Sequence, residues 1–264
     1  MNWLLQNEPL VRIGSFLGVL AILSIAEAWR PRRHASHSLR RTVANAGLLV
    51  FATICARILI PLLPVGAALY VARHEVGLMN LIEMPDVIAF ALTLIALDIA
   101  IYWQHRLMHA VPWLWRLHRV HHSDTGFDVT TALRFHPIEI LISLLFKIAL
   151  IVALGAPAAA VLVFEIVLNA AAMFNHSNLA LSDRSDRRLR WLLVTPDMHR
   201  IHHSVRVDET NSNFGFSVPW WDRLFGSYRH TPVDEQETMP IGLDKFRSPQ
   251  EQHLAALIVQ PVQK

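Results

Sequence analysis

Charged residues are scarce in this sequence of 264 residues. They make up 17% of the chain, whereas soluble domains contain about 25%. Hydrophobic residues account for 53%, and the mean hydropathy is +0.34. This composition argues against an ordinary soluble domain and indicates a membrane protein.

Cysteine is almost absent, with Cys55 as its one representative. A single cysteine cannot form an internal disulfide, and Cys55 lies within an apolar run. We therefore interpret it as a small hydrophobic residue that carries no information on the redox compartment.

Long apolar stretches are what the sequence has instead. A bilayer core requires about 20 mostly apolar residues per helix. Five stretches approach that length, at 10–29, 43–72, 86–104, 138–154 and 157–175. Pro61 and Pro64 interrupt the second stretch, which predicts a kink or a continuation along the interface. Gly155 and Pro157 separate the last two, which predicts a helical hairpin that either crosses the membrane or re-enters it.

The distribution of arginine predicts the orientation of these helices. Five arginines lie in the loop 30–41, whereas the connection 73–86 contains one. The positive-inside rule then places the first loop in the cytoplasm and the N-terminus outside. Helix alternation brings 105–137 and 176–264 to the cytoplasmic side, in agreement with a second basic run at 184–190. The basic cluster follows the first apolar stretch, so we interpret this stretch as a retained segment in the inner membrane of the cell.

Histidine is the residue in excess, with 15 copies. Eight of them form three clusters, His105-Arg-Leu-Met-His109, His118-Arg-Val-His121-His122 and His199-Arg-Ile-His202-His203. Residues three or four apart share a helix face, so we expect each cluster to present its imidazoles in one sector. Eight imidazoles exceed the about four to six ligands of one ion, which predicts two metals. Imidazole suits iron, zinc, copper and nickel, so ligand type leaves the metal open.

Four further residues are candidates for the same site. His176 lies where the hairpin returns to the histidine-rich side, and we expect it to be a ninth ligand. His136 opens the hairpin on that side and is expected to be a ligand or to contact one. Asp98, within the third apolar stretch, and Asp197, beside the third cluster, are the predicted catalytic acids. We expect each to accept a hydrogen bond from a ligand ring, although Asp98 could instead pair with an arginine and Asp197 could cap a helix.

From Asp98 to Tyr228 the chain resembles the fatty acid hydroxylase/sterol desaturase superfamily of membrane di-iron enzymes. The resemblance rests on the three histidine clusters, on Arg134-Phe-His136-Pro137, on Asn175-His176-Ser177-Asn178, on Thr195-Pro196-Asp197, on Asn213-Phe-Gly215 and on Trp221-Asp222-Arg-Leu-Phe225-Gly226-Ser-Tyr228. It implies two iron ions held by the histidines and O2-dependent hydroxylation or desaturation of a lipid. Zinc can replace the iron in purified protein.

The expected fold is thus an all-α integral membrane protein. It has about four to five transmembrane or re-entrant helices and a cytosolic histidine-rich metal-binding cap. We divide it into N-terminal membrane helices at 1–85, a catalytic domain at 86–230 and a polar tail at 231–264.

The resemblance also implies partners. The substrate is a lipid of the surrounding membrane, and no nucleic acid is expected. The sequence has neither a His-Pro-Gly-Gly haem-binding stretch nor a G-x-G-x-x-G fingerprint. Electrons are therefore expected from an external donor, a ferredoxin or a cytochrome b5-type/reductase system. Hydroxylation, desaturation and ether cleavage stay open as reactions.

Two other function classes are less well supported. A membrane zinc hydrolase would have a carboxylate base in its box, as in H-E-x-x-H, but Arg106 follows His105. A non-enzymatic metal-binding protein or transporter would place its ligands near the bilayer midplane, whereas these clusters lie at span ends.

Overall fold

The computed structural model describes residues 2–34, 38–82 and 84–263, and these residues form helices with no strand longer than an isolated bridge. The α-helices are α1 Asn2–Gln6, α2 Glu8–Trp29, α3 Leu39–Leu59, α4 Pro64–Arg73, α5 Leu78–Leu81, α6 Asp86–Ala110, α7 Pro112–His122, α8 Pro137–Leu154, α9 Ala158–Asn175, α10 Asp183–Leu189, α11 Pro196–His202, α12 Val207–Thr210, α13 Trp220–Leu224 and α14 Leu254–Val259. Short 3₁₀ segments occupy Val129–Leu133 and Gln260–Val262. The predicted all-α class is confirmed.

Five helical segments are long and apolar enough to cross a membrane. They are α2, the broken run Leu39–Leu81, α6, α8 and α9. The hairpin helices α8 and α9 contain 18 residues each, which gives a length of about 27 Å. That is close to the roughly 30 Å of a hydrocarbon core, so both helices are long enough to cross it.

The second apolar run breaks where its prolines predict. Helix α3 ends at Leu59, and α4 begins at Pro64. Proline lacks an N–H donor but fits the first turn of a helix, so the run stops before Pro61 and restarts at Pro64. Helix α4 then packs against α8 and α9, and its Ala67 and Ala68 are fully buried. The small residues allow close helix packing in the bundle.

The two ends of the helix bundle carry different segments. At one end, the α4–α5 connection meets the α8–α9 turn, and a Cβ on Gly77 would lie 2.2 Å from the nitrogen of Gly155. At the other end, the Arg32 amide donates to the Asn178 carbonyl at 2.7 Å, and Arg41 pairs with Asp124 at 2.5 Å. The arginine-rich loop therefore lies on the same side as α7 and the return from the hairpin. That this side is cytoplasmic stays a prediction.

The cap, formed by α7 and α10–α13 with their loops, contains most of the clustered histidines. The described part of the polar tail, 231–263, folds against it. Gln252 donates to the Ser123 carbonyl at 2.9 Å, and Arg119 donates to the Gln260 carbonyl at 2.7 Å. Leu257 of α14 is fully buried beside Leu48 of α3. The tail thus covers the end of α7 and holds this helix against the bundle.

Candidate metal centre

Nine histidines form two groups at the cap end of the bundle. The five-histidine group consists of His105, His109, His118, His122 and His202, and the four-histidine group consists of His121, His176, His199 and His203. In each group, one ring nitrogen per residue lies within 4.8 Å of all the others. Each group offers enough nitrogens for one transition-metal ion.

Each H-x-x-H-H cluster is divided between the two groups. In α7, His118 and His122 face the five-histidine group, whereas His121 faces the other. In the third cluster, His202 joins the five-histidine group, whereas His199 and His203 join the other. The expectation of three imidazoles in one sector is wrong, because adjacent helical positions are rotated by about 100°. The cluster lies between two sites and contributes to both.

Three histidines of the five-histidine group have their Nδ1 atoms fixed from outside the group. The contacts are His105 Nδ1 to the Phe214 carbonyl at 2.7 Å, His202 Nδ1 to the Ser212 carbonyl at 2.7 Å and His118 Nδ1 to Glu139 Oε1 at 2.6 Å. A carbonyl or an ionised carboxylate accepts hydrogen bonds, so each of these Nδ1 atoms carries the proton. In the neutral ring, Nε2 then presents a lone pair.

These three lone pairs converge on one another. His105 Nε2 lies 3.1 Å from the Nε2 atoms of both His118 and His202. With the protons on Nδ1, no hydrogen stands between the nitrogens, and the lone pairs repel. A cation among them turns this repulsion into ligation. The donor set therefore fits a metal ion.

The four-histidine group has the same chemistry with fewer fixed rings. His176 Nδ1 donates to the Ala172 carbonyl at 2.6 Å, and its Nε2 lies 3.0 Å from the Nε2 atoms of His121 and His199. Both ring nitrogens of His203 are buried without a hydrogen-bond partner among the described residues. Such buried orphan atoms are rare unless an ion or water satisfies them.

Burial also keeps the four-histidine group in its metal-binding form. Desolvation lowers the pKa of His176 to about 4. For His121, His199 and His203 it lowers the pKa well below the ordinary value. A depressed pKa means that these rings are neutral at physiological pH, and neutral imidazole is the form that ligates a metal.

His136 lies outside both groups. Its Nδ1 accepts a hydrogen bond from the Ile138 amide at 3.2 Å, and its Nε2 donates to the Ile258 carbonyl at 3.1 Å. Both ring nitrogens are therefore engaged by backbone. His136 thus caps α8 and joins it to the C-terminal segment, and it belongs to neither histidine group.

Among the described residues, neither Asp98 nor Asp197 hydrogen-bonds to a histidine ring. Asp98 Oδ2 accepts a hydrogen bond from Trp221 Nε1 at 2.7 Å, so it joins α6 to α13. Asp197 pairs with Arg200 at 2.5 Å and with Arg32 at 3.2 Å. The predicted contact of these acids with ligand rings is not found. Both carboxylates instead connect segments of the fold.

Glu139 makes the contact that was expected of the two aspartates. It lies in the first turn of α8, it is 5% exposed, and it orients the ring of His118. A carboxylate on the second nitrogen of a ligand histidine fixes its tautomer and raises its basicity. Glu139 was not among the predicted site residues, although a carboxylate at the start of an apolar span is a usable signal.

A cavity of about 210 Å³ adjoins the five-histidine group. His105 and His118 line it, whereas none of the four histidines of the other group does. Its walls come from α2, α3, α6, α8, α9 and the segment before α8, with apolar residues such as Phe16, Leu49, Ile101, Leu133 and Phe135. Thr53 of α3 lines the cavity and is exposed on the helix bundle. The cavity thus extends from the five-histidine group towards the outer surface of the helix bundle.

Comparison with known proteins finds relatives over the histidine-rich half of the chain. The family model described as fatty acid hydroxylase matches residues 90–227. Ornithine lipid hydroxylase OlsE of Rhizobium tropici is 34% identical over 154 residues, which cover 57% of this chain and 44% of that protein. Alkylglycerol monooxygenase of Xenopus tropicalis is 32% identical over 166 residues, which cover 62% and 35%. Cholesterol 25-hydroxylase of Rattus norvegicus is 29% identical over 151 residues, which cover 53% and 46%.

The matched residues span between about a third and just under half of the length of these curated relatives. No solved structure gives a significant match. The similarity therefore covers the helices and loops that bring the two histidine groups together.

Proposed function

We propose that this chain, which belongs to the fatty acid hydroxylase family, oxidises lipids. In this proposal it is an integral membrane enzyme that uses two histidine-bound iron ions and O2 to hydroxylate or desaturate a lipid C–H bond. The observation that carries the proposal is the contact between the five-histidine group and an apolar cavity within the helix bundle.

The residues around the cavity account for the parts of such a reaction that a protein contributes. His105 and His118 would hold one ion at the cavity wall, with Glu139 keeping the His118 ring in its ligating tautomer. When bound, the iron pair supplies the activation of O2, which side chains cannot provide. The apolar walls hold an alkyl chain in a fixed position and exclude water from it.

His121, His176, His199 and His203 would hold the second ion of the proposal. All four are at most 1% exposed, and none lines the cavity. This ion would therefore act without direct contact with the lipid. Zinc, which also accepts imidazole ligands, can replace iron in purified protein.

The proposal also includes a sidedness and a donor. The basic loop after α2 and the run at 184–190 lie at the cap end of the bundle, and Arg184, Arg187 and Arg188 are exposed. We assign this end to the cytoplasmic face of the inner membrane. There an external donor, a ferredoxin or a cytochrome b5-type/reductase system, would supply the electrons.

The test combines metal analysis with lipid analysis. Protein purified without chelators under metal-replete conditions is expected to contain two iron ions per chain. Mass spectrometry of lipids from cells with and without the protein is expected to find one added oxygen or two lost hydrogens, together with O2 consumption. The His118→Ala variant should lose both lipid oxidation and O2 consumption. His34→Ala, at an exposed position away from the site, should keep both.

Three results would contradict the proposal. At most one ion per chain would reject the two-metal site. Two ions with hydrolysed lipid but no O2 consumption would indicate a zinc hydrolase. Two ions without any lipid change would indicate a non-enzymatic metal-binding protein.

A further inference from the structure

One face of helix α8 carries polar residues through an otherwise apolar span. Glu139, Ser143 and Lys147 are spaced by four residues and therefore lie on one face. All three line the cavity. Glu139 contacts a predicted metal ligand, but nothing in the proposed reaction uses Lys147. An ionisable residue inside a membrane span is costly and therefore points to a function.

Lys147 belongs to a cluster of four charged side chains. Its Nζ donates to Glu165 Oε1 at 3.0 Å, and Glu165 Oε2 accepts from Arg12 at 2.5 Å. Arg12 also pairs with Glu8 at 2.6 Å. The cluster thus contains two cations and two carboxylates and is neutral as a whole. Charge balance accounts for the presence of a cation near Glu165.

Charge balance does not explain why Lys147 is among the residues that line the cavity. A lysine ammonium has three N–H donors, and Lys147 uses one on Glu165 among the described residues. Gln104, which also lines the cavity, accepts from Ser143 Oγ at 3.3 Å and so keeps its amide donors. Lys147 and Gln104 thus keep side-chain donors without an acceptor among the described residues, and both residues line the cavity.

The cavity consequently has two chemically different ends. Lys147 follows Glu139 by eight residues, which places them about 12 Å apart along α8. The Glu139 end contains His105 and His118, whereas the Lys147 end offers hydrogen-bond donors. The lining also includes Ser143, midway between them on α8, and the apolar residues Ile101, Ile140 and Leu168.

We propose that Lys147 binds an oxygen-bearing group of the lipid, a carboxylate or an ester carbonyl, and so fixes which carbon lies beside His105 and His118. This inference rests on the proposed function of the same cavity. An oxygen acceptor would satisfy donors that otherwise face hydrocarbon, where an unpaired polar group is costly.

The inference can be tested by binding without turnover. The protein is placed in nanodiscs in the absence of O2, and a neutral photoreactive alkyl diazirine labels the cavity. Palmitic acid, methyl palmitate and hexadecane then compete with this probe. We expect the acid or the ester to compete at about tenfold lower concentration than hexadecane. This factor corresponds to about 1.4 kcal/mol, near the low end of the contribution of a hydrogen bond with a charged group.

The Lys147→Met variant should remove this ranking, so that all three competitors act at similar concentrations. Lys147→Arg should retain it, and Lys245→Met, a matched substitution in the C-terminal tail, should leave it unchanged. Acid ahead of ester would identify a carboxylate as the preferred group, and equal competition would identify the carbonyl. Metal content reports whether each variant is folded. If Lys147→Met does not fold, the ranking of the competitors in the wild type still tests the inference.

The inference is overturned if hexadecane competes as well as the acid and the ester in the wild type. It is also overturned if Lys147→Met is folded and keeps the wild-type ranking. Failure of the proposed function gives a different result. A protein that ranks the competitors but oxidises no lipid retains the binding site and loses the assigned reaction.

Discussion

The two histidine groups resemble each other in composition but differ in how their rings are held. In the five-histidine group, His105, His118 and His202 have their Nδ1 atoms bonded to oxygens outside the group. In the four-histidine group, His176 is the one described member with such a bond to a backbone carbonyl. Three of the five rings beside the cavity thus have their orientations fixed by direct contacts, against one of the four rings in the other group. That precision matches a site at which a substrate must be aligned with a metal.

The four-histidine group depends instead on the packing of the helix ends around it. Asp124, directly after α7, pairs with Arg41 at 2.5 Å. The fully buried Arg134 donates to the Val120 carbonyl at 2.8 Å, within α7 itself. These contacts fix the last turn of α7, which carries His121 of the four-histidine group and His122 of the five-histidine group. The packing around α7 therefore supports both groups, whereas the hydrogen bonds to individual ring nitrogens belong mainly to the group beside the cavity.

The largest expected effect comes from removing one ligand of each group. His202→Ala should release the ion beside the cavity, and His199→Ala should release the other. Each variant should fall from two ions to one and lose activity by more than about a hundredfold. The reason is that even the partners of ligand histidines account for about 10–100-fold in affinity or activity. Elemental analysis and product formation measure both effects.

His34→Ala provides the control for this pair, because His34 is exposed and belongs to neither group. Loss of both ions in His199→Ala but of one in His202→Ala would show that the five-histidine site requires the other. Retention of two ions and full activity in either variant would contradict the assignment of that group.

A smaller effect is expected at Glu139, which contacts one group alone. Glu139→Ala should weaken metal binding at the five-histidine group by about 10–100-fold. Glu139→Gln should weaken it less, because the amide oxygen can still accept from His118 Nδ1. Competition with a chelator measures the affinity of each site. Asp197→Asn is the matched control, because Asp197 pairs with arginines rather than with a histidine.

If Glu139→Ala instead empties the four-histidine group, the two sites are not independent. If its affinities equal those of the wild type, the short contact between Glu139 and His118 does not tune the metal site.

The helical class and the histidines of the site were predictable because their signals are local. An apolar run of about 20 residues identifies a span wherever it lies, and the break at Pro61 and Pro64 follows from proline geometry. His176 could be found because it stands where a predicted hairpin returns to the cap. The grouping of the histidines was not predictable in the same way. It depends on how α7 and α11 are turned against each other, and no local pattern contains that angle.

The contacts of Asp98, His136 and Glu139 were not predictable for the same reason, because they depend on how distant segments pack. Asp98 is an acid in a span near His105, yet its helix position directs it to Trp221 of α13, 123 residues later. His136 is adjacent to the hairpin, yet its ring is engaged by the Ile258 carbonyl of the C-terminal segment. Glu139 was missed because proximity to His118 arises only when α8 packs beside α7. These roles depend on tertiary contacts, which the spacing of residues in the sequence does not contain.

The smallest effect is expected from a substitution at Asp98, which should leave the metal content of both histidine groups unchanged. Asparagine at this position retains an oxygen that can accept from Trp221 Nε1, now at 2.7 Å from Asp98. Asp98→Asn therefore loses only the charge of the acceptor, which costs about 1 kcal/mol, or roughly 2–4 °C in apparent Tm. Both ions should be retained.

Asp222→Asn should act more strongly on the five-histidine group. Asp222 accepts from the Phe214 and Gly215 amides at 2.8 and 2.9 Å, and the Phe214 carbonyl accepts from His105. Thermal unfolding and metal content measured on both variants separate the two carboxylates, and loss of an ion in Asp98→Asn would return Asp98 to the metal centre.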